Sequence, residues 1–165
     1  MGWNGLRSRL TPRFSANRMV REYTENYYLP AASAFLLRCR QGAALAAQLA
    51  SWSEELDRHW GALRFGTMNV HSTADQHRFE IPIYLDDLAP ENVRVELCAE
   101  ALEADGQPEL HVMHREAPLT GAVNGYLYTA SVTATRPSDH YTPRIVPYHE
   151  QASVPLDAVH ILWQR

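Results

Sequence analysis

The chain carries eight histidines, 19 acidic residues and 15 basic ones, and every basic residue is arginine. The missing lysine closes off two chemistries at once. A Schiff base to pyridoxal phosphate or to a carbonyl substrate forms on a lysine amine, and a P-loop sets its lysine on the phosphates. The histidines invite a metal, so each grouping is tested by spacing. His111 and His114 are three apart in a predicted strand, which puts them on opposite faces rather than on one ion. His71 and His77 flank a predicted turn with Asp75 between them and could meet across it. No Cys or Glu stands at zinc-protease or zinc-finger spacing, so structural or surface roles are the better reading of these histidines.

Carboxylates and nucleophiles say little more. Asp86-Asp87 precedes LAPEN in a strand-ending loop, where Asp hydrogen-bonds its own backbone, and Glu54-Glu55 falls on a polar helix face. No GxSxG, no glycine-rich phosphate loop and no cysteine with a local histidine partner is present. What remains is aromatic. Tyr126 and Tyr128 share one face of a predicted strand, with Tyr84, Tyr141, Tyr148 and Trp163 in or beside others. Rings so placed can stack on sugars while polar neighbours bind the hydroxyls, which makes Tyr126 and Tyr128 candidate glycan contacts. Tyr also packs well in a core with its hydroxyl wet, and that is the competing reading.

The elements that must position these residues change character near residue 64. Before it the hydrophobic period is helical. Ser15 suits an N-cap for a helix of about three turns over ANRMVREYTENYY, on which Met19, Tyr23 and Tyr27 share a face with Val20 beside them. Pro30 is the expected end of that helix and can itself begin a new one. Residues 31–63 are rich in Ala, Leu, Gln and Glu and predict one long helix, softened at Gly42. Leu45, Leu49, Trp52, Leu56, Trp60 and Leu63 form a stripe along it, opposite the exposed pair Glu54 and Arg58. The stripe covers either an absent neighbour or an open face of the second half.

From residue 64 the period is two. About seven short alternating runs separated by turn residues predict an antiparallel, immunoglobulin-like β-sandwich. In RFEIPIYL, Phe79, Ile81, Ile83 and Leu85 alternate with Arg78, Glu80, Pro82 and Tyr84. In NVRVELCAEAL, Val93, Val95, Leu97, Ala99 and Ala101 face the core, with Arg94, Glu96, Cys98 and Glu100 on the wet side. Asp105-Gly106 signals a hairpin into ELHVMHR. Pro82, Pro143 and Pro147 mark their strands as edges or as beginning at the proline. The expected organisation is α+β, with helices over about 15–63 and a sandwich over 64–165. The large apolar residues of the first part, Tyr23, Tyr27, Tyr28 and Phe35 among them, are more than two helices can hide from each other, and either form an interface with a missing neighbour or cover one open face of the sandwich.

A net charge of −4 with scattered arginines gives no field for nucleic acid, and no apolar run approaches a membrane span. MGWNGLRSRLTPRF has no signal-peptide core, and Leu6 stands where a myristoylation signal has Ser or Thr. The cytoplasm is the expected location, with Cys39 and Cys98 as reduced thiols.

Trp3 followed by FSANRMVREYTENYYLP resembles a segment near the C-terminal end of glycogen and α-glucan phosphorylases, in which a Trp precedes a Phe-Ser-x-x-Arg motif and an amphipathic Tyr-bearing helix. Phe14, Ser15, Arg18 and Tyr23 are the matching positions. PIYLDDLAPENVRVEL, TPRIVPYH and HILWQR are similar to the tail region of the bacterial branch. The resemblance implies a parent enzyme that cleaves α-1,4-glucan with phosphate to glucose 1-phosphate, using pyridoxal phosphate held by a lysine upstream of this segment. It implies no catalytic, cofactor or metal residue here. Arg18, Glu22 and Tyr23 would contact the catalytic domains, and an α-glucan is the expected ligand if the sandwich binds one. The alternative is an independent sandwich that binds glycan or protein.

Overall fold

The computed structural model describes residues 16–40, 44–101 and 106–165. Two compact units divide between Gln48 and Leu49.

In the first unit, α1 (Ala16–Tyr23) runs through a π-helical turn (Thr24–Tyr28) into α2 (Leu29–Arg40) without interruption. Pro30 lies in the first turn of α2, as a proline that begins a helix does, but no gap separates α2 from the helix before it. Proline lacks the N–H that the ladder needs, and its ring crowds the carbonyl four residues back. The π turn just before it closes on a Leu29 N–H to Thr24 carbonyl bond and opens the helix where that conflict would fall. Ser15 and Gly42 lie outside the described residues. The long helix expected over 31–63 accordingly appears as α2 and as α3 (Ala44–His59), which ends in a 3₁₀ turn (Trp60–Ala62).

In the second unit, nine strands form two antiparallel sheets among the described residues. The five-stranded sheet contains β1 (Arg64–Phe65), β2 (Asn69–Ser72), β3 (Gln76–Tyr84), β6 (His114–Pro118) and β7 (Gly125–Thr133). The four-stranded sheet has the order β5 (Glu109–Val112), β4 (Val93–Ala99), β8 (Tyr141–Pro147), β9 (Leu162–Trp163). Both face one core. Phe79, Ile81, Ile83, Tyr128, Ala130 and Val132 come from one sheet, Val95, Leu97, Tyr141 and Ile145 from the other. Trp52, Leu56 and Leu63 join that same cluster, with Leu49 and Trp60 half-buried against it. This part of the predicted stripe is therefore covered by the sheets of its own chain.

Two predicted runs each divide in two. RFGTMNVH splits into β1 and β2, which pair in succession along one edge of β3. Pro82 sits opposite the break between them. Its carbonyl accepts the Gly66 N–H (2.7 Å), and its amide side, which has no donor to give, faces the same gap. A side chain at Gly66 would come within 2.9 Å of the Pro82 ring, so the chain passes there only as glycine. The proline thus marks a local break in pairing rather than an edge strand. Pro143 likewise turns its carbonyl to Gln164 N–H beside two-residue β9, and Pro147 closes β8. ELHVMHREAP leaves the four-stranded sheet as β5 and enters the five-stranded sheet as β6. Met113 is buried at the crossing, where its N–H donates to the Val95 carbonyl (2.8 Å).

Candidate functional site

The residues that sequence reasoning assigned to contacts fall on two different kinds of surface. On the helical unit, Arg18 Nε donates to Glu22 Oε1 (2.6 Å) across one helical turn, and both side chains are exposed. Tyr23 is 54% exposed and packs against Tyr27 (ring centroids 4.8 Å) and Tyr28 (5.7 Å). Met19, Val20, Leu29, Phe35 and Leu36 are exposed as well. Three tyrosine rings clustered where α1 enters the π turn, with exposed aliphatic side chains on the same helices, make an apolar surface of the kind that associates rather than stays wet. Trp3 and Phe14 lie outside the described residues.

Tyr126 and Tyr128 take a different position from a sugar platform. Both point to the inner face of β7, opposite Ile83 and Ile81. Tyr128 is only 4% exposed, and burial pushes its hydroxyl up to about 12. Tyr126 is half-buried beneath the Arg115 guanidinium, 5.2 Å from its ring centre. Core packing, the competing reading, describes Tyr128. A stacked sugar needs a free ring face, and Tyr128 offers none.

The histidines separate as their spacing predicts, and further. His111 and His114 lie in different sheets. His77 is buried with both ring nitrogens occupied: Nε2 donates to the Arg136 carbonyl (2.9 Å), which leaves Nδ1 to accept from the Ser72 hydroxyl (2.8 Å). One grouping escaped the sequence, because its members are far apart in the chain. His59, Asp86 and Asp87 bring ligand atoms within 4.8 Å of one another, with both carboxylates exposed.

A polar cluster at one end of the sheets was equally hidden. Glu109 Oε1 accepts from His111 Nε2 (2.6 Å) and from the Tyr141 hydroxyl (3.1 Å), and Oε2 accepts from Arg136 Nη2 (3.1 Å). The His111 bond is the largest cause, with Tyr141 and Arg136, of a Glu109 carboxyl held below the usual carboxylate range. A depressed folded-state value stabilises the fold fully above the unfolded value of about 4.3, and the contribution is lost as pH falls through the folded value. Glu109→Gln should therefore flatten the fall in urea midpoint below about pH 4.5. An unchanged slope would show that Glu109 does not couple folding to protons.

The wet face predicted for β4 fails at two positions. Glu96 and Cys98 are buried although they point away from the core. Glu96 Oε1 accepts from Arg94 Nε (2.8 Å), and Oε2 accepts from Arg144 Nη2 (2.6 Å) and Nε (2.8 Å). Arg94 in turn lies over Tyr148 (5.3 Å) and Arg144 over Trp163 (5.3 Å). These long side chains roof the strand at Glu96 and exclude water from the carboxylate beneath. Burial pushes the Cys98 thiol up to about 11, so it stays protonated and inert at neutral pH, while Cys39 is exposed.

The arrangement defines an antiparallel two-sheet domain preceded by helices. Residues 60–165 match the family model described as the glycogen phosphorylase C-terminal domain, and the chain belongs to that family. It is 29% identical over 148 residues to the maltodextrin phosphorylase of Thermococcus litoralis, an alignment covering 86% of this chain and 17% of the relative. It is 27% identical over 149 residues to the glycogen phosphorylase of Mycobacterium tuberculosis, covering 85% of this chain and 17% of the relative. The chain thus spans about 17% of the length of these relatives. No solved structure matches it.

Proposed function

We propose that this chain is the non-catalytic C-terminal region of an α-glucan phosphorylase, and that phosphorolysis of α-1,4-glucan to glucose 1-phosphate belongs to domains outside these residues. The observation that carries the reading is the family match over residues 60–165 in a chain spanning only 17% of its phosphorylase relatives. Chemistry agrees with it. Pyridoxal phosphate would supply the proton-transferring phosphate of the parent reaction, but its covalent anchor is a lysine amine and these 165 residues contain none. The cofactor therefore does not fit this chain.

The same reading gives the helical unit its partner. The exposed cluster Tyr23, Tyr27 and Tyr28, with the Arg18–Glu22 pair on the same helix, is the surface that meets the catalytic domains, and the cytoplasm is where the parent works. Purified chain should show no phosphorolysis of maltodextrin and no absorbance from bound pyridoxal phosphate. Either signal in the isolated chain, at a level that scales with its concentration, would overturn the assignment.

A further inference from the structure

The outer face of the four-stranded sheet holds an open cleft of about 830 Å³, within the size range of ligand sites, lined by Cys98, Leu110, His140, Thr142, Arg144 and Trp163 among others. The register explains its composition. Trp163 stands opposite Arg144, Arg144 opposite Glu96, and in the adjacent row Thr142 and Leu110 flank Cys98. Its lining is mostly apolar, and Thr142, His140 and Arg144 add a hydroxyl, an imidazole and a guanidinium to it. Trp163 remains 41% exposed even with Arg144 over its ring.

Charge narrows what can bind. Arg144 is already tied to the buried Glu96 carboxylate through two nitrogens, and the Glu100 side chain lines the same cleft. An anion would meet a cation that is spent and a carboxylate that repels it. A neutral ligand with one apolar face and many hydroxyls meets an indole for its face and polar groups for its edges. We propose that this cleft binds an α-1,4-glucan chain, with a glucosyl ring on the part of the Trp163 indole that Arg144 leaves exposed and hydroxyls held by Thr142 and His140. The choice of glucan rests on the phosphorylase reading. The position on Trp163 rests on the geometry, and it relocates the sugar contact from Tyr126 and Tyr128 to the opposite sheet.

Tyr148 supplies an internal control, because it is as exposed as Trp163 and carries Arg94 as Trp163 carries Arg144, yet it does not line this cleft. Calorimetric titration of the full chain with maltoheptaose should give binding that Trp163→Ala weakens about tenfold or more. Trp163→Phe should retain most of it and Tyr148→Ala all of it, with unchanged thermal midpoints certifying each fold. Equal losses in Trp163→Ala and Tyr148→Ala would overturn the assignment to this cleft. Equal binding of cellohexaose would overturn the α-glucan assignment, and so would absence of any glucan binding, including the case where Trp163 is instead needed for a protein contact. None of these results touches the phosphorylase reading, which stands or falls on the activity and cofactor assays.

Discussion

Leu56→Ala should destabilise the second unit by about 3 kcal/mol, a larger effect than any change on the exposed side of the same helix. Leu56 is fully buried in one cluster with Trp52, Phe79, Ile83 and Val95, so truncation removes methyl groups from water-free contacts and leaves a cavity that two hydrogen-bonded sheets can collapse around only in part. For a chain of this size the thermal midpoint should fall by about 6–12 °C. Glu54→Ala, two residues earlier and exposed, should stay within about 0.5 kcal/mol. Calorimetry on both variants decides the matter. If Leu56→Ala costs no more than Glu54→Ala, α3 is an ornament on the sheets and the helical stripe needs another partner. The expected result makes the end of α3 part of the sandwich core, in keeping with a compact unit that begins at Leu49.

How much of this was legible in the sequence depends on whether a feature is set by neighbours along the chain or across it. The alternation of Phe79, Ile81, Ile83 and Leu85 gave a buried face directly, and all four are fully buried. The helical stripe was equally clear, since Trp52, Leu56 and Leu63 are buried as their spacing requires. Division of a run between two sheets carries no such signal. In ELHVMHREAP the alternation slips at the adjacent Val112 and Met113, but only the pairing partners of β5 and β6 show that the slip is a change of sheet. Pro82 is readable as a lost donor but not as a gap between two short strands, because β1 and β2 are defined by β3. Pro30 opens α2 as a helix-starting proline can, but the break expected before it is replaced by a π turn, which has no sequence signature of its own. The surfaces were the least legible. Tyr126 and Tyr128 alternate as a sheet face should, but period two does not say which face is inside until the partner sheet is placed.

Glu96 is where that ambiguity matters most, and Glu96→Ala should cost about 2–3 kcal/mol. Two limits bracket the figure. An exposed ion pair contributes about 0–1 kcal/mol, whereas removing one partner of a fully buried pair costs about 3–5 kcal/mol because a charge is left without solvent or partner. Glu96 itself is 5% exposed, but Arg144 and Arg94 retain part of their surface, so water recovers some of what the carboxylate supplied. Glu96→Gln keeps one acceptor and should lose less than Glu96→Ala. Burial also means the loss should persist at about 1 M salt, where a surface pair would be screened away. Urea unfolding of the two variants at low and high salt measures all of this. A loss in Glu96→Ala below about 0.5 kcal/mol, or one that vanishes in salt, would reduce the network to a surface pair. The larger loss would mean that Arg144 is held against Trp163 by a buried anion, so the indole presented to the cleft is fixed before any ligand arrives. Preorganisation of that kind is what lets a two-residue edge strand carry a binding surface.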